Sequence, residues 1–228
     1  MLSQGTKLSQ RHIRDGGGKN INNECAKSHD TKVRDVMQKV LLNIQEKFPK
    51  KYFELKPVIL QKNISRCFNS KYKPSNPKSS IRPDGGVLFM DGIPILSTEA
   101  KKQGTNSERK KDGKKKQAMG NAIERAHKNY NEIKNLQDDY LFTSYLLFGY
   151  GCDFEKGSSI VDRLSAMTYY DSFNTLHIKD EIVEKTIDGK HFIERRKKAS
   201  VFIQEQPFEE NFIYEKCMEA ISIVIDMI

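Results

Sequence analysis

Arg82-Pro83-Asp84-Gly85-Gly86-Val87-Leu88-Phe89-Met90-Asp91-Gly92-Ile93-Pro94-Ile95-Leu96-Ser97-Thr98-Glu99-Ala100-Lys101 is the stretch on which the reading of the chain turns. Val87 to Met90 is a short apolar run suited to a strand. Asp91-Gly92 tolerates positive φ at both positions and so predicts a two-residue hairpin turn. Ile93 to Leu96 opens the returning strand, where Pro94 is tolerated near a strand start or an edge. Glu99 and Lys101 are two residues apart in that strand, so their side chains leave the same face. Asp84 precedes the first strand and therefore falls near the far end of the second. The pattern predicts two carboxylates and one ammonium gathered at one end of a ribbon.

Two adjacent carboxylates repel, and one is driven toward protonation unless a cation lies between them. A hard divalent ion such as Mg²⁺ takes oxygen ligands and keeps several waters. The expected ligands are Asp84, Glu99 and the Ala100 carbonyl, which points sideways between Glu99 and Lys101. With a phosphate bound, such an ion acts as a Lewis acid and lowers the pKa of an attacking water. Lys101 would position that water and stabilise the charge developing on phosphorus. Asp84, Glu99 and Lys101 are thus the candidate catalytic set for cutting a phosphodiester. An ordinary surface hairpin with solvated Glu and Lys fits the same spacing.

Composition sets the frame around this stretch. At 228 residues the default is one domain with a full core. A formal charge of +9 and a pI near 9.2 point to a polyanionic partner. Cys25, Cys67, Cys152 and Cys217 are scattered and lack C-x-x-C spacing, so free thiols in a reducing cytosol are expected rather than a zinc site or a disulfide framework. Residues 1–20 are polar, which argues against a secretory signal, and there is no apolar run of about 18 residues to span a membrane. A soluble, cytoplasmic protein is expected.

Along the chain, residues 1–29 contain Gly16-Gly17-Gly18 and few apolar side chains, and are read as a flexible N-terminal arm. Residues 30–228 form the expected single domain. Asp30 is read as an N-cap before Val33, Val36, Met37, Val40, Leu41, Ile44 and Phe48, a core stripe at helical spacing that Pro49 ends. Val58-Ile59-Leu60 fits a strand or a buried helical turn. Asn69 to Ser80 reads as a loop. Arg109, Lys110, Lys111, Lys114, Lys115 and Lys116 form a charge run that is either a solvated face or a phosphate-contacting segment. Ala118 to Leu136 reads as a helix, with Glu124 and Lys128 as an i,i+4 pair and with Asn121 and Arg125 on one face. Phe142 to Phe148 reads as a strand buried in the middle of a sheet. Ser159 to Tyr170 is predicted helical, Ile182 to Ile193 a hairpin turning at Asp188-Gly189, Ser200 to Gln204 a strand, and Phe208 to Ile228 a closing helix with Phe212, Cys217, Ile221 and Ile225 inward. His127, His177 and His191 lack metal-ligand spacing and are read as non-catalytic.

Three motifs in one order narrow the reading further. Pro83-Asp84-Gly85-Gly86, then Glu99-Ala100-Lys101-Lys102-Gln103-Gly104, then Gly120-Asn121-Ala122-Ile123-Glu124-Arg125-Ala126-His127-Lys128-Asn129 resemble the EcoRI-like type II restriction endonucleases of the PD-(D/E)xK superfamily. The likeness extends more weakly to Cys25–Asp30 and Asp162–Ala166. It implies an α/β fold with a mixed central β-sheet of about five strands flanked by helices. It also implies a homodimer on double-stranded DNA and a partner methyltransferase. In the family pattern the segment matching Gly120, Asn121, Ala122 and Arg125 enters the major groove and reads an inner AATT. Glu124 would orient those donors and link to the partner subunit, and Gln103 matches a position coupling recognition to cutting. Lys114, Lys116, Gln117 and Ala118 complete the expected DNA contacts, and Arg163 matches an arginine that reads an outer guanine. Ile160 replaces a second arginine of the pattern, and Gln117 and Met119 also depart from it. The expected target is therefore AATT alone, GAATTC, or AATT with another flanking pair.

The resemblance implies Mg²⁺-dependent hydrolysis before AATT, leaving 5′-phosphates and 5′ overhangs. A structure-specific repair nuclease would share the triad but not the Gly120–Arg125 segment, and a silent DNA-binding relative would not need the triad. A methyltransferase is excluded, because its glycine-rich cofactor loop and Asn/Asp-Pro-Pro-aromatic motif are missing from the sequence.

Overall fold

A computed structural model describes residues 19–60, 80–102, 120–151, 154, 159–170 and 173–228. Helix α1 (Lys19–Lys47) buries Val33, Val36, Met37, Val40 and Ile44 completely, as their spacing requires. It begins at Lys19 rather than at Asp30, so it takes in residues 19–29 of the expected arm; residues 1–18 lie outside the described residues. His29 is buried against the sheet, so the inward stripe continues one turn before Val33. The helix stops just before Pro49, whose ring disfavours helical backbone at the residue before it.

Strands β1 (Phe53–Lys56), β2 (Ile59–Leu60), β3 (Ser80–Ile81), β4 (Val87–Met90) and β5 (Ile93–Lys102) follow. Ile59-Leu60 is a strand, paired with β3, and not a turn of helix. Asp91 and Gly92 take φ values of 51° and 86°, giving the tight β4–β5 turn that the dipeptide predicts. Helix α2 (Gly120–Leu136) then leads to β6 (Tyr145–Tyr150), which lies parallel to β5. After α3 (Ser159–Ser165) a 3₁₀ turn covers Ala166–Thr168, and left-handed Tyr169 and Tyr170 end the expected helix there. The predicted second hairpin forms from β7 (Glu181–Ile187) and β8 (Lys190–Arg196), with β9 (Ser200–Gln204) and α4 (Glu210–Ile225) after it.

The principal sheet has the order β1-β4-β5-β6-β9. Its β1–β4–β5 part is antiparallel and its β5–β6–β9 part parallel, so the sheet is mixed, with five strands and helices on both faces. One face carries Leu88, Leu96, Ala100, Leu146, Phe148 and Phe202 against α1 and α4. The other carries Val87, Phe89, Tyr145, Leu147 and Val201 against α2 and α3. Phe142 to Phe148 is wholly buried, as expected, although the strand itself starts at Tyr145. Of the closing helix, Cys217 and Ile221 are buried, whereas Phe212 and Ile225 are only partly so.

A one-residue irregularity in the hairpin decides which face the functional strand presents. Phe89 pairs with Pro94, but Leu88 pairs with Leu96, so Ile95 is an extra residue in β5. Beyond it Leu96, Thr98 and Ala100 face α1, while Ser97, Glu99 and Lys101 face α2.

Gly85 marks the closest approach in this region. A Cβ there would lie 1.9 Å from Thr98 Oγ1 and 3.0 Å from side-chain atoms of both Val33 and Met37. Gly85→Ala should therefore destabilise the protein by roughly 1–3 kcal/mol through overpacking. Urea unfolding checks this, and an unchanged midpoint would mean that α1 yields without cost.

Candidate active site

The Pro83-Asp84-Gly85-Gly86 turn sits beside β5 through two backbone bonds, Gly85 N–H to the Thr98 carbonyl at 3.1 Å and Thr98 N–H to the Gly86 carbonyl at 3.4 Å. This brings Asp84 to the carboxyl end of β5, where the parallel strands also end. Asp84 Oδ2 accepts the Ala100 N–H at 3.0 Å and Lys101 Nζ at 2.8 Å. Lys101 Nζ also donates to Glu99 Oε1 at 2.5 Å and to the Ala100 carbonyl at 2.7 Å. Asn129 Nδ2, from α2, donates to Glu99 Oε2 at 3.1 Å. The two carboxylates, the ammonium and the carbonyl expected from the sequence thus meet at one point.

Burial sets the electrostatics. The Glu99 side chain is 2% exposed and that of Lys101 12%. Burial pushes Glu99 up to about 7 against the pull of Lys101, with the Asp84 charge adding to the rise. Burial alone would lower Lys101; Glu99 and Asp84 outweigh it and hold the ammonium above the ordinary lysine value. The ammonium therefore stands where a cation is demanded, on the three oxygens picked out as metal ligands. Two carboxylates and a backbone carbonyl form a hard, all-oxygen donor set, which suits a cation such as Mg²⁺ better than it suits zinc.

Two groups on α1 border the site and were not assigned to it from the sequence. Asp30, read as a helix cap, is pushed up to about 6 by burial, with the Asp84 charge acting in the same direction. His29 is buried, its Nε2–H donating to the Phe148 carbonyl at 3.1 Å and its ring edge-on to Tyr150 at 4.7 Å. Burial lowers its pKa, as suits a ring packed into the core. The signal for His29 was the spacing: it lies four residues before Val33, on the same helical stripe.

The expected DNA-reading residues divide into three groups. Gln103, Lys114, Lys116, Gln117 and Ala118 lie outside the described residues. Gly120, Asn121 and Ala122 form the first turn of α2, with Glu124 and Arg125 exposed just after it. Arg163, on α3, meets Glu124 at 3.2 Å in an ion pair exposed on both sides (47% and 64%), which joins the two helices. Such a pair contributes about 0–1 kcal/mol and is readily exchanged for another partner. Ile160, which stands where the family pattern has an arginine, is buried in the α2–α3 core and cannot reach a base.

A five-stranded mixed sheet with helices on both faces, holding Pro-Asp and Glu-x-Lys together at the end of its parallel strands, defines the restriction-endonuclease-like class. Within it, the chain belongs to the restriction endonuclease EcoRI family, whose model matches residues 15–161. It is 32% identical to the type II restriction enzyme RsrI of Cereibacter sphaeroides, over 70% of this chain and 64% of that one, just under two thirds of the relative's length. It is 30% identical to the type II restriction enzyme EcoRI of Escherichia coli, over 72% of each chain.

The raised acids carry a sign that can be measured. Between the ordinary 4.5 and about 7, folded Glu99 keeps a proton that the unfolded chain releases. Stability is then greatest below that window and is lost as the pH rises through it. The metal-free wild type should lose stability relative to Glu99→Gln from pH 4.5 to 7, read by thermal melting in chelator. A constant difference would show that Glu99 stays charged in the fold.

Proposed function

We propose that the chain is a type II site-specific endonuclease that hydrolyses double-stranded DNA at a palindrome with an AATT core, using Mg²⁺ and leaving 5′-phosphates on 5′ overhangs. The observation that carries this reading is the gathering of Asp84, Glu99 and the Ala100 carbonyl around the Lys101 ammonium. Those three oxygens would hold the ion. When bound, Mg²⁺ supplies Lewis-acid polarisation of the phosphoryl group and a lowered pKa for the attacking water.

The protein's own groups do the rest. Asp84 is held in place by the Ala100 N–H. Lys101, kept cationic by its two acids, orients the water and stabilises charge developing on phosphorus as the 3′ oxygen leaves. Glu124 and Arg125 are exposed on the helix that ties into Glu99, which supports reading of the major groove by Asn121 and Arg125. Gln103 would couple that reading to the cut, Lys114 and Lys116 would hold phosphates, and Arg163 would leave Glu124 for an outer base. Ile160, being buried, supports a target whose outer pair is read less fully than the core. A palindrome calls for a two-fold homodimer, each subunit cutting one strand in the cytoplasm, with a methyltransferase protecting the cell's own sites.

Digestion of a genome-sized DNA with Mg²⁺, followed by end sequencing, should give 5′-phosphorylated ends beginning AATT; ends without a shared sequence would overturn the specificity. Asp84→Asn and Glu99→Gln should each slow cutting by at least about a thousandfold, while specific binding in Ca²⁺ persists. Wild-type rates in either variant would refute the catalytic assignment. Arg125→Ala should cost about 1–3 kcal/mol of cognate-over-scrambled discrimination in competition binding, and an unchanged ratio would remove α2 as the reading element.

A further inference from the structure

Asn129 lies one helical turn beyond Arg125 on α2 and reaches Glu99 Oε2 at 3.1 Å. Lys101 grips the other oxygen, Oε1, at 2.5 Å. With Glu99 nearly inaccessible to water, these two donors set the plane of its carboxylate. A divalent ion held by Glu99 would take over from the ammonium, and Asn129 would then be the side-chain donor still holding Glu99 among the described residues.

Asn121, Arg125 and Asn129 follow at intervals of four, which places them along one stripe of a continuous helix. At 1.5 Å per residue, Asn129 stands about 6 Å along the axis from Arg125 and about 12 Å from Asn121. A rigid helix transmits a shift of its first turn over that span with little loss. An amide suits the task, because it donates a hydrogen bond without adding charge. A lysine would compete for the ion's place, and an aspartate would repel Glu99.

We propose that Asn129 is a positioning residue coupling the seating of α2 on its DNA sequence to the orientation of the Glu99 carboxylate, and so to the divalent-ion affinity of the site. This deepens the nuclease reading and rests on it. Recognition and ion binding then share one hydrogen bond, and each strengthens the other by the same factor.

The test is calorimetric titration of Ca²⁺ into the full chain, alone and with an AATT-containing or a scrambled duplex. For wild type, the AATT duplex should tighten Ca²⁺ binding more than the scrambled one does. Asn129→Ala should weaken Ca²⁺ binding to the DNA-free protein by about 10–100-fold and shrink the difference between duplexes. Asn129→Leu keeps the shape without the donor and should behave alike, which guards against a cavity effect in the alanine variant. Unchanged Ca²⁺ affinity in both variants would overturn the proposal. So would weaker Ca²⁺ binding that merely follows a lower melting temperature while the difference between duplexes persists. A wild-type protein that cuts no duplex in Mg²⁺ would defeat the nuclease reading separately, with the DNA-free titration still deciding whether Asn129 orients Glu99.

Discussion

The structure depends on one ammonium held by three oxygens. Withdrawing a lysine and two acids from water costs several kcal/mol per charge, and only close, well-directed contacts offset it. Here the contacts are supplied within a single ribbon: Asp84 from before it, Glu99 and the Ala100 carbonyl from its far strand. The cluster is strained by its own charge, since burial keeps Glu99 close to protonation and Lys101 is the counterweight. The lysine meets that demand only in part, since two carboxylates face one ammonium.

The surrounding layers hold that cluster from both sides. Under the sheet, α1 brings Val33 and Met37 against Gly85, where no side chain fits, and so lets Asp84 approach β5. Above it, α2 bridges the parallel strands β5 and β6 and places Asn129 on Glu99. Farther out, Lys197 is buried with Asp180 at 2.9 Å and donates to the Gln137 carbonyl at 3.0 Å, fixing the end of α2 that lies away from the exposed Glu124 and Arg125. The anchored end and the exposed end of one helix thus serve opposite purposes.

Much of this could be read from the chain before any coordinates. Asp91-Gly92 tolerates the positive φ that a two-residue turn requires, and alternation then places Glu99 beside Lys101. The helical stripes of α1 and α4 are set by their apolar spacing in the same way. What the sequence hid were contacts made across long separations. Asn129 stood in plain view within a recognised motif, but nothing local shows that it meets an acid 30 residues earlier. His29 was passed over because its neighbours are polar, and helical propensity counts for little once a buried ring holds the turn. Ile160 looked like a lost DNA contact and proves to be a core residue, since one position cannot do both.

The extra residue in β5 has an evolutionary corollary. The segment between Ile93 and Leu96 is counted by parity. Loss of one codon there would leave the hydrophobicity of the strand almost intact while turning Thr98 and Ala100 toward α2 and sending the acid and the lysine under α1. Such a lineage would keep a recognisable fold and an unaltered motif spelling, yet lose the meeting of Glu99 and Lys101 with Asp84.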